Sequence, residues 1–239
     1  MAEKLKSVLK NPVSPLVLKA TALAIAIFWL RLGDINFLKL TAFGAVFLFF
    51  YLKPPLSAGK FVMSALVLVT IITLAPQVSG PIGFYVNLIL GILGFLLLGV
   101  KNLIFSRRQS AYYLMHLILM VGLASLFSLG LISQILFFIL TLFLFREFYL
   151  MMTPEKPELI TLVSALEGML VMQVAWVTSF FPSSFLVSAA FMVLLTFISH
   201  DALVNYFKDT FSNKIAWRSL AVFALLAALI LLLPVWGFN

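Results

Sequence analysis

Cysteine is absent from all 239 residues, which excludes disulfides, thiolate metal sites, iron–sulfur clusters and cysteine nucleophiles in one step. Acidic residues are scarce, 8 Asp and Glu against 16 Lys and Arg. None of the ten prolines falls inside a long apolar run; all lie between runs or at their ends, from Pro12 and Pro15 to Pro182 and Pro234. A missing amide donor costs least there, and the kinked or broken helices used by many transporters are not expected. The chain also lacks a G-x-S-x-G elbow, a P-loop, a dinucleotide fingerprint and an H-E-x-x-H helix. No enzyme class has a motif to stand on.

What the chain has in abundance is apolar surface. It is 64% hydrophobic with a mean hydropathy of +1.18, whereas soluble chains are roughly half apolar. Lipid must solvate most of it. The apolar runs are Pro15 to Leu32, Ile35 to Leu52, Phe61 to Ala75, Ile82 to Val100, Ala111 to Leu129, Ile132 to Met151, Leu159 to Phe180, Ser184 to Ser199 and Trp217 to Leu233. A helix needs about 20 apolar residues to cross about 30 Å of hydrocarbon, so nine crossings use about 180 residues and leave no room for a soluble domain. The expectation is an all-α, polytopic transmembrane helical bundle of about nine spans, a single integral membrane domain over residues 1–239. The first run is too long for a signal core and lacks a small-x-small cleavage site, so it reads as a retained span.

Charge orients the bundle. Thirteen of the sixteen basic residues fall before the first run or in every second gap: Lys4, Lys6 and Lys10; Lys53 and Lys60; Lys101, Arg107 and Arg108; Arg146 and Lys156; Lys208, Lys214 and Arg218. The alternate gaps hold only Arg31 and Asp34. Lys and Arg are retained on the cytoplasmic side, which places the N-terminus inside and the C-terminus outside, in the cytoplasmic membrane. Arg31 and Asp34 flank Gly33 in a very short turn; full crossing by spans one and two puts both charges at the surface, whereas a re-entrant hairpin buries them at a cost of several kcal/mol. The net charge of +8 suits anionic headgroups, and without an aromatic-basic platform it does not suit nucleic acid. Membrane lipids are the expected partners. Two segments read as interfacial helices: residues 1–10, and residues 201–215, where Leu203, Tyr206, Phe207, Phe211 and Ile215 recur at helical spacing.

Glu167 is the most expensive residue, about 12 Å into the seventh span at 1.5 Å per residue. An ionised side chain at mid-depth costs about 2.5–3.5 kcal/mol on insertion scales, which makes an intramembrane acid a functional candidate. Ser164 and Thr178 share its helical face, and Gly168 beside it allows another helix to approach. Lys19, His116 and Arg146 lie in the same half of their own spans, and Arg146 or His116 is the preferred partner. Glu167 then serves helix register, a proton or solute site, or catalysis, while Lys19 and Arg146 could equally snorkel to headgroups. His200 and Asp201, with Asn205 one turn beyond, read as a polar helix end at headgroup level; the two histidines form no metal-ligand spacing. No cofactor or metal is expected. In the fourth span, Gly83, Asn87, Gly91 and Gly94 share one face, a small-residue groove for a neighbouring helix, a lipid tail or a second copy of the chain. Trp29, Trp176, Trp217 and Trp236 read as interface anchors.

The run Arg146-Glu147-Phe148-Tyr149, followed by Glu167, Trp176, Phe181-Pro182 and Trp236, resembles uncharacterised multi-pass membrane proteins of prokaryotes, a likeness that implies no activity. The paired glutamates and following arginine of CAAX-protease-like intramembrane peptidases are missing. Three readings follow: a noncatalytic protein of membrane assembly or scaffolding, a small-solute or lipid transporter with Glu167 as its protonatable site, and an enzyme using His200, Asp201 and Arg146 at the cytoplasmic face. Because the chain is naturally free of cysteine, single cysteines at positions 107 and 208 should both react with an impermeant thiol reagent from the same side of the membrane. Labelling from opposite sides would overturn the charge-derived threading.

Overall fold

The computed structural model describes residues 13–53, 58–77, 80–104, 107–127, 130–180 and 185–232. The expected interfacial helix at 1–10, Phe181-Pro182 and Trp236 lie outside them. Among the described residues there are nine α-helices and no strand: α1 Val13–Arg31, α2 Phe37–Leu52, α3 Val62–Leu74, α4 Gly80–Lys101, α5 Arg108–Phe127, α6 Leu131–Met152, α7 Pro157–Ser179, α8 Phe185–Phe207 and α9 Asn213–Leu232. Seven are long and apolar enough to cross a membrane. The two others, α2 with 16 residues and α3 with 13, reach only about 24 and 20 Å at 1.5 Å per residue. The chain divides into two compact units, Met1–Met115 and His116–Asn239.

In the first unit, α1 packs on α4. Leu16, Leu23, Ile27 and Leu30 bury one face of α1, and its neighbour offers the glycines read from the sequence as a groove. A Cβ on Gly91 would lie 2.9 Å from Ala24 Cβ, and one on Gly94 2.7 Å from Leu23 Cδ2. The groove is therefore filled by α1 of the same chain along these two residues, rather than by a lipid tail or a second copy. Gly83 is buried on the same helix. Asn87 Oδ1, on the same face, is buried and finds no donor among the described residues.

Cations close the ends of this unit's helices. The last four carbonyls of a helix have no partner within it, and a positive charge there also meets the negative end of the helix dipole. Arg31, expected at the outer surface, is instead buried and donates to Ile72 O at 2.9 Å, Ala75 O at 3.3 Å and Pro76 O at 2.8 Å, closing α3. Lys19 Nζ donates to Lys53 O at 2.9 Å, at the end of α2, and Arg108 Nε to Val100 O at 2.9 Å, at the end of α4. These bonds bring the end of α1 to the end of α3, and the first half of α1 to the end of α2, which is an up-and-down threading. Asp34 stays in the short turn, where Lys39 Nζ bonds the neighbouring carbonyls of Leu32 and Asp34.

In the second unit, α6 and α7 pack against each other, and a Cβ on Gly168 would lie 3.6 Å from the Leu142 backbone, the close approach expected of that glycine. Pro157 opens α7 at the one helical turn where its missing amide is harmless. Helix α8 does not stop at Ser199. It continues to Phe207 and ends where Asp209 takes a left-handed conformation, φ 53°, with Thr210 N bonded to Asn205 O at 2.9 Å. Aspartate tolerates this conformation better than most residues. Residues 201–215 are thus not one helix: 201–207 finish α8, 208–212 turn, and 213–215 begin α9. Phe211 and Ile215 leave the stripe formed by Leu203, Tyr206 and Phe207. The outward faces remain apolar, with Trp29, Trp176 and Trp217 all exposed, the surface that lipid covers.

Replacing Gly91 by alanine forces α1 and α4 apart and should destabilise the protein by about 1–3 kcal/mol, the usual cost of overpacking. At Gly44 a Cβ meets nothing within 4 Å. Thermal unfolding in detergent should show a lowered Tm for G91A and an unchanged or slightly raised one for G44A.

Candidate functional site

The acid that sequence reasoning singled out sits at the centre of a side-chain cluster in the second unit. Glu167 is 2% exposed, and His116, His200 and Tyr149 are fully buried. Tyr149 Oη donates to Glu167 Oε2 at 2.7 Å, the Ser199 hydroxyl donates to Oε1, and His200 Nδ1 lies 2.8 Å from the same oxygen. On its other side, His200 Nε2 lies 3.0 Å from His116 Nε2. Four helices supply these groups: α5, α6, α7 and α8.

Local geometry explains how the groups meet. Side chains on a helix lean toward its N-terminus; because α6 and α7 run in opposite directions, Tyr149 near the end of one and Glu167 lean toward each other. Phe145, Phe148 and Tyr149, spaced i, i+3 and i+4, turn one face of α6 to the histidines. The Phe148 ring is 4.1 Å from that of His200 and 4.8 Å from that of His116, and Phe145 meets His200 edge-on at 4.8 Å. Aromatic walls keep water from the imidazole pair and strengthen the electrostatics within.

The proton count follows from these contacts. An ionised carboxylate accepts from all three neighbours, Tyr149, Ser199 and His200 Nδ1–H. With Nδ1 protonated, the Nε2 of a neutral His200 accepts from His116 Nε2–H; a proton entering at His116 Nδ1 releases that Nε2–H to His200 Nε2, and the bond between the two imidazoles reverses direction. Each state keeps every bond of the row.

Other expected members lie elsewhere. Arg146, the preferred partner of Glu167, bonds Thr161 Oγ1 at 2.9 Å. His116, the other preferred partner, reaches the carboxylate only through His200. The hydroxyls of Ser164 and Thr178 bond their own helix, at Ile160 O and at Val174 O and Ala175 O. Lys19 belongs to the first unit. Asp201 forms an exposed pair with Arg218 at 3.8 Å, and Asn205 Nδ2 bonds Asp201 O at 2.7 Å. His200, expected at a polar helix end, is fully buried, and α8 runs seven residues beyond it, about 10 Å. Tyr149 and Ser199 were not foreseen, although the 145, 148, 149 spacing on α6 was a signal open to reading.

No family model, curated protein or solved structure matches this chain. Ser199 donates to the Glu167 carboxylate, whereas the serine of a hydrolase triad is hydrogen-bonded to its imidazole base.

Removing the phenolic hydroxyl leaves Glu167 Oε2 without its donor. Tyr149→Phe should destabilise by about 1.5–3 kcal/mol, the range for hydrogen bonds to charged groups, whereas Ser164→Ala, losing only a bond back to its own helix, should have little effect. Thermal unfolding of the two variants in detergent compares them.

Proposed function

We propose that this is a multi-pass protein of the cytoplasmic membrane that handles protons, with Glu167, His200 and His116 as a relay coupled to the movement of a small solute or lipid. The observation that carries the reading is the engagement of both ring nitrogens of a buried His200, one by a carboxylate at 2.8 Å and the other by a second imidazole at 3.0 Å. Imidazole bonded on both sides passes a proton by accepting at one nitrogen and releasing at the other. The depth supports it as well. Glu167 is ten residues into α7 and His116 eight into α5, about 15 and 12 Å from the helix ends, where an ionisable group is costly and marks proton or solute pathways. The alternation of basic connections supports the cytoplasmic membrane.

A structural role for the cluster is the second reading, favoured by the donors that meet both oxygens of Glu167: the cluster then fixes helix register and moves nothing. An enzyme built on His200, Asp201 and Arg146 has less behind it, because the three side chains bond different partners, and acid–base chemistry needs them within hydrogen-bond reach of one reacting group.

Reconstitution into vesicles carrying a pH-sensitive dye separates the readings. The relay predicts proton flux under an imposed potential, lost in Glu167→Gln and in His116→Phe while each variant still unfolds in one cooperative transition in detergent. Unchanged flux in Glu167→Gln removes the role assigned to that residue. No flux from the parent, with a markedly lowered Tm in the variant, favours the structural reading.

A further inference from the structure

In the second unit a cavity of about 420 Å³ lies among α7, α8 and α9, within the size range of small-molecule sites, about 300–1,000 Å³. Leu170, Val174 and Thr178 of its lining recur at i, i+4 and i+8 on α7, so one face of that helix lines it for about 12 Å at 1.5 Å per residue. Phe191 and Leu195, one turn apart on α8, form a second wall, and Phe223 of α9 forms a third. Leu170 is exposed, so the cavity opens on the outward surface of the helices. A ligand dissolved in the hydrocarbon of the bilayer reaches it directly.

Two polar groups interrupt the apolar lining, Gln173 and Thr178. Gln173 is exposed and stands one turn nearer the start of α7 than Trp176, whose exposed indole is of the kind that sits at the membrane interface. A carboxamide at that depth faces hydrocarbon, which offers nothing to its N–H groups or its oxygen. Thr178 donates to carbonyls of its own helix, and its oxygen can still accept. An apolar cavity with a few placed polar groups has the make-up of a ligand site.

The charge of the ligand follows from the same walls. None of the lining residues is charged. Glu167 begins the α7 stripe, three residues before Leu170, and Ser199, which bonds Leu195 O at 2.9 Å, also donates to its carboxylate. That carboxylate is 2% exposed and already accepts from Tyr149, so it stands behind the wall rather than in it. A charged ligand finds no counter-charge among the lining residues, and an unpaired buried charge costs far more than a neutral group that is hydrogen-bonded.

We propose that this cavity binds an uncharged amphipathic lipid, a hydrocarbon chain seated against Leu170, Val174, Phe191, Leu195 and Phe223 and ending in a hydroxyl, ester or amide that hydrogen-bonds Gln173. Apolar contact does little to select the ligand, because the surrounding lipid tails are as apolar as the cavity. Selection comes from the Gln173 carboxamide, for which no water competes in hydrocarbon. The site stands on the cavity and not on the proton relay, and its test measures no flux.

Full-length protein in detergent is photolabelled with a long-chain alcohol that carries a diazirine in its chain, and the modified residues are located by mass spectrometry. Modification should fall around Val174, Leu195 and Phe223, and Val174→Trp, which fills the cavity, should abolish it. Unlabelled hexadecanol should compete about two- to tenfold more strongly than hexadecane, as expected of one neutral hydrogen bond, and Gln173→Leu should remove that difference. Equal competition by the alcohol and the alkane in the parent, or stronger competition by hexadecyltrimethylammonium, overturns the uncharged hydrogen-bonding ligand. Modification spread evenly over the exposed helix faces and unchanged in Val174→Trp overturns the site. Should Val174→Trp fail to fold, Gln173→Leu decides alone: a difference between alcohol and alkane that survives in this variant overturns the assignment.

Discussion

A carboxylate taken out of water must be given donors, a counter-charge or a proton, and inside a helical bundle solvated by lipid those partners come from neighbouring helices. Glu167 obtains them from Tyr149, Ser199 and His200. The same demand passes outward. His200, once committed to the carboxylate through Nδ1, needs a partner for Nε2 and finds His116 on another helix. Side chains from α5, α6, α7 and α8 therefore meet around one acid, and the proposed proton relay rests on that meeting.

The first unit answers the same constraint with the opposite charge. Helix ends in an apolar medium expose carbonyls that no water satisfies, and Lys19, Arg31 and Arg108 supply donors to the ends of α2, α3 and α4. A cation used in this way is a structural element as well as a marker of membrane side.

Much of the fold was legible before any coordinates. Proline positions and hydropathy located all nine helices, and the spacing of Gly91 and Gly94 announced a close helix contact, since both signals act within one helix and need no partner to be read. The partner itself was not legible: the occupant of the glycine face is Ala24 and Leu23 of α1, a choice made by packing. The end of α8 was misplaced for a similar reason. His200 and Asp201 lower the local hydropathy and look like a boundary, but a histidine whose two nitrogens are both bonded sits inside a helix at little cost, so the helix runs on to Phe207. Periodicity alone then joined Phe211 and Ile215 to a stripe that the left-handed Asp209 interrupts.

The sequence by itself determined the solvent, the helical class and the presence of one acid that demands an explanation, because composition, run length and the cost of burying a charge are properties of single segments. Tertiary structure decided which groups answer that acid. Arg146 was the natural electrostatic candidate, yet it bonds Thr161, while Tyr149 and His200, one noted only as part of a resemblance and one read as surface, complete the cluster. Hydrogen bonds need donor and acceptor within about 3 Å and suitably directed, and that condition is met only after several helices have packed.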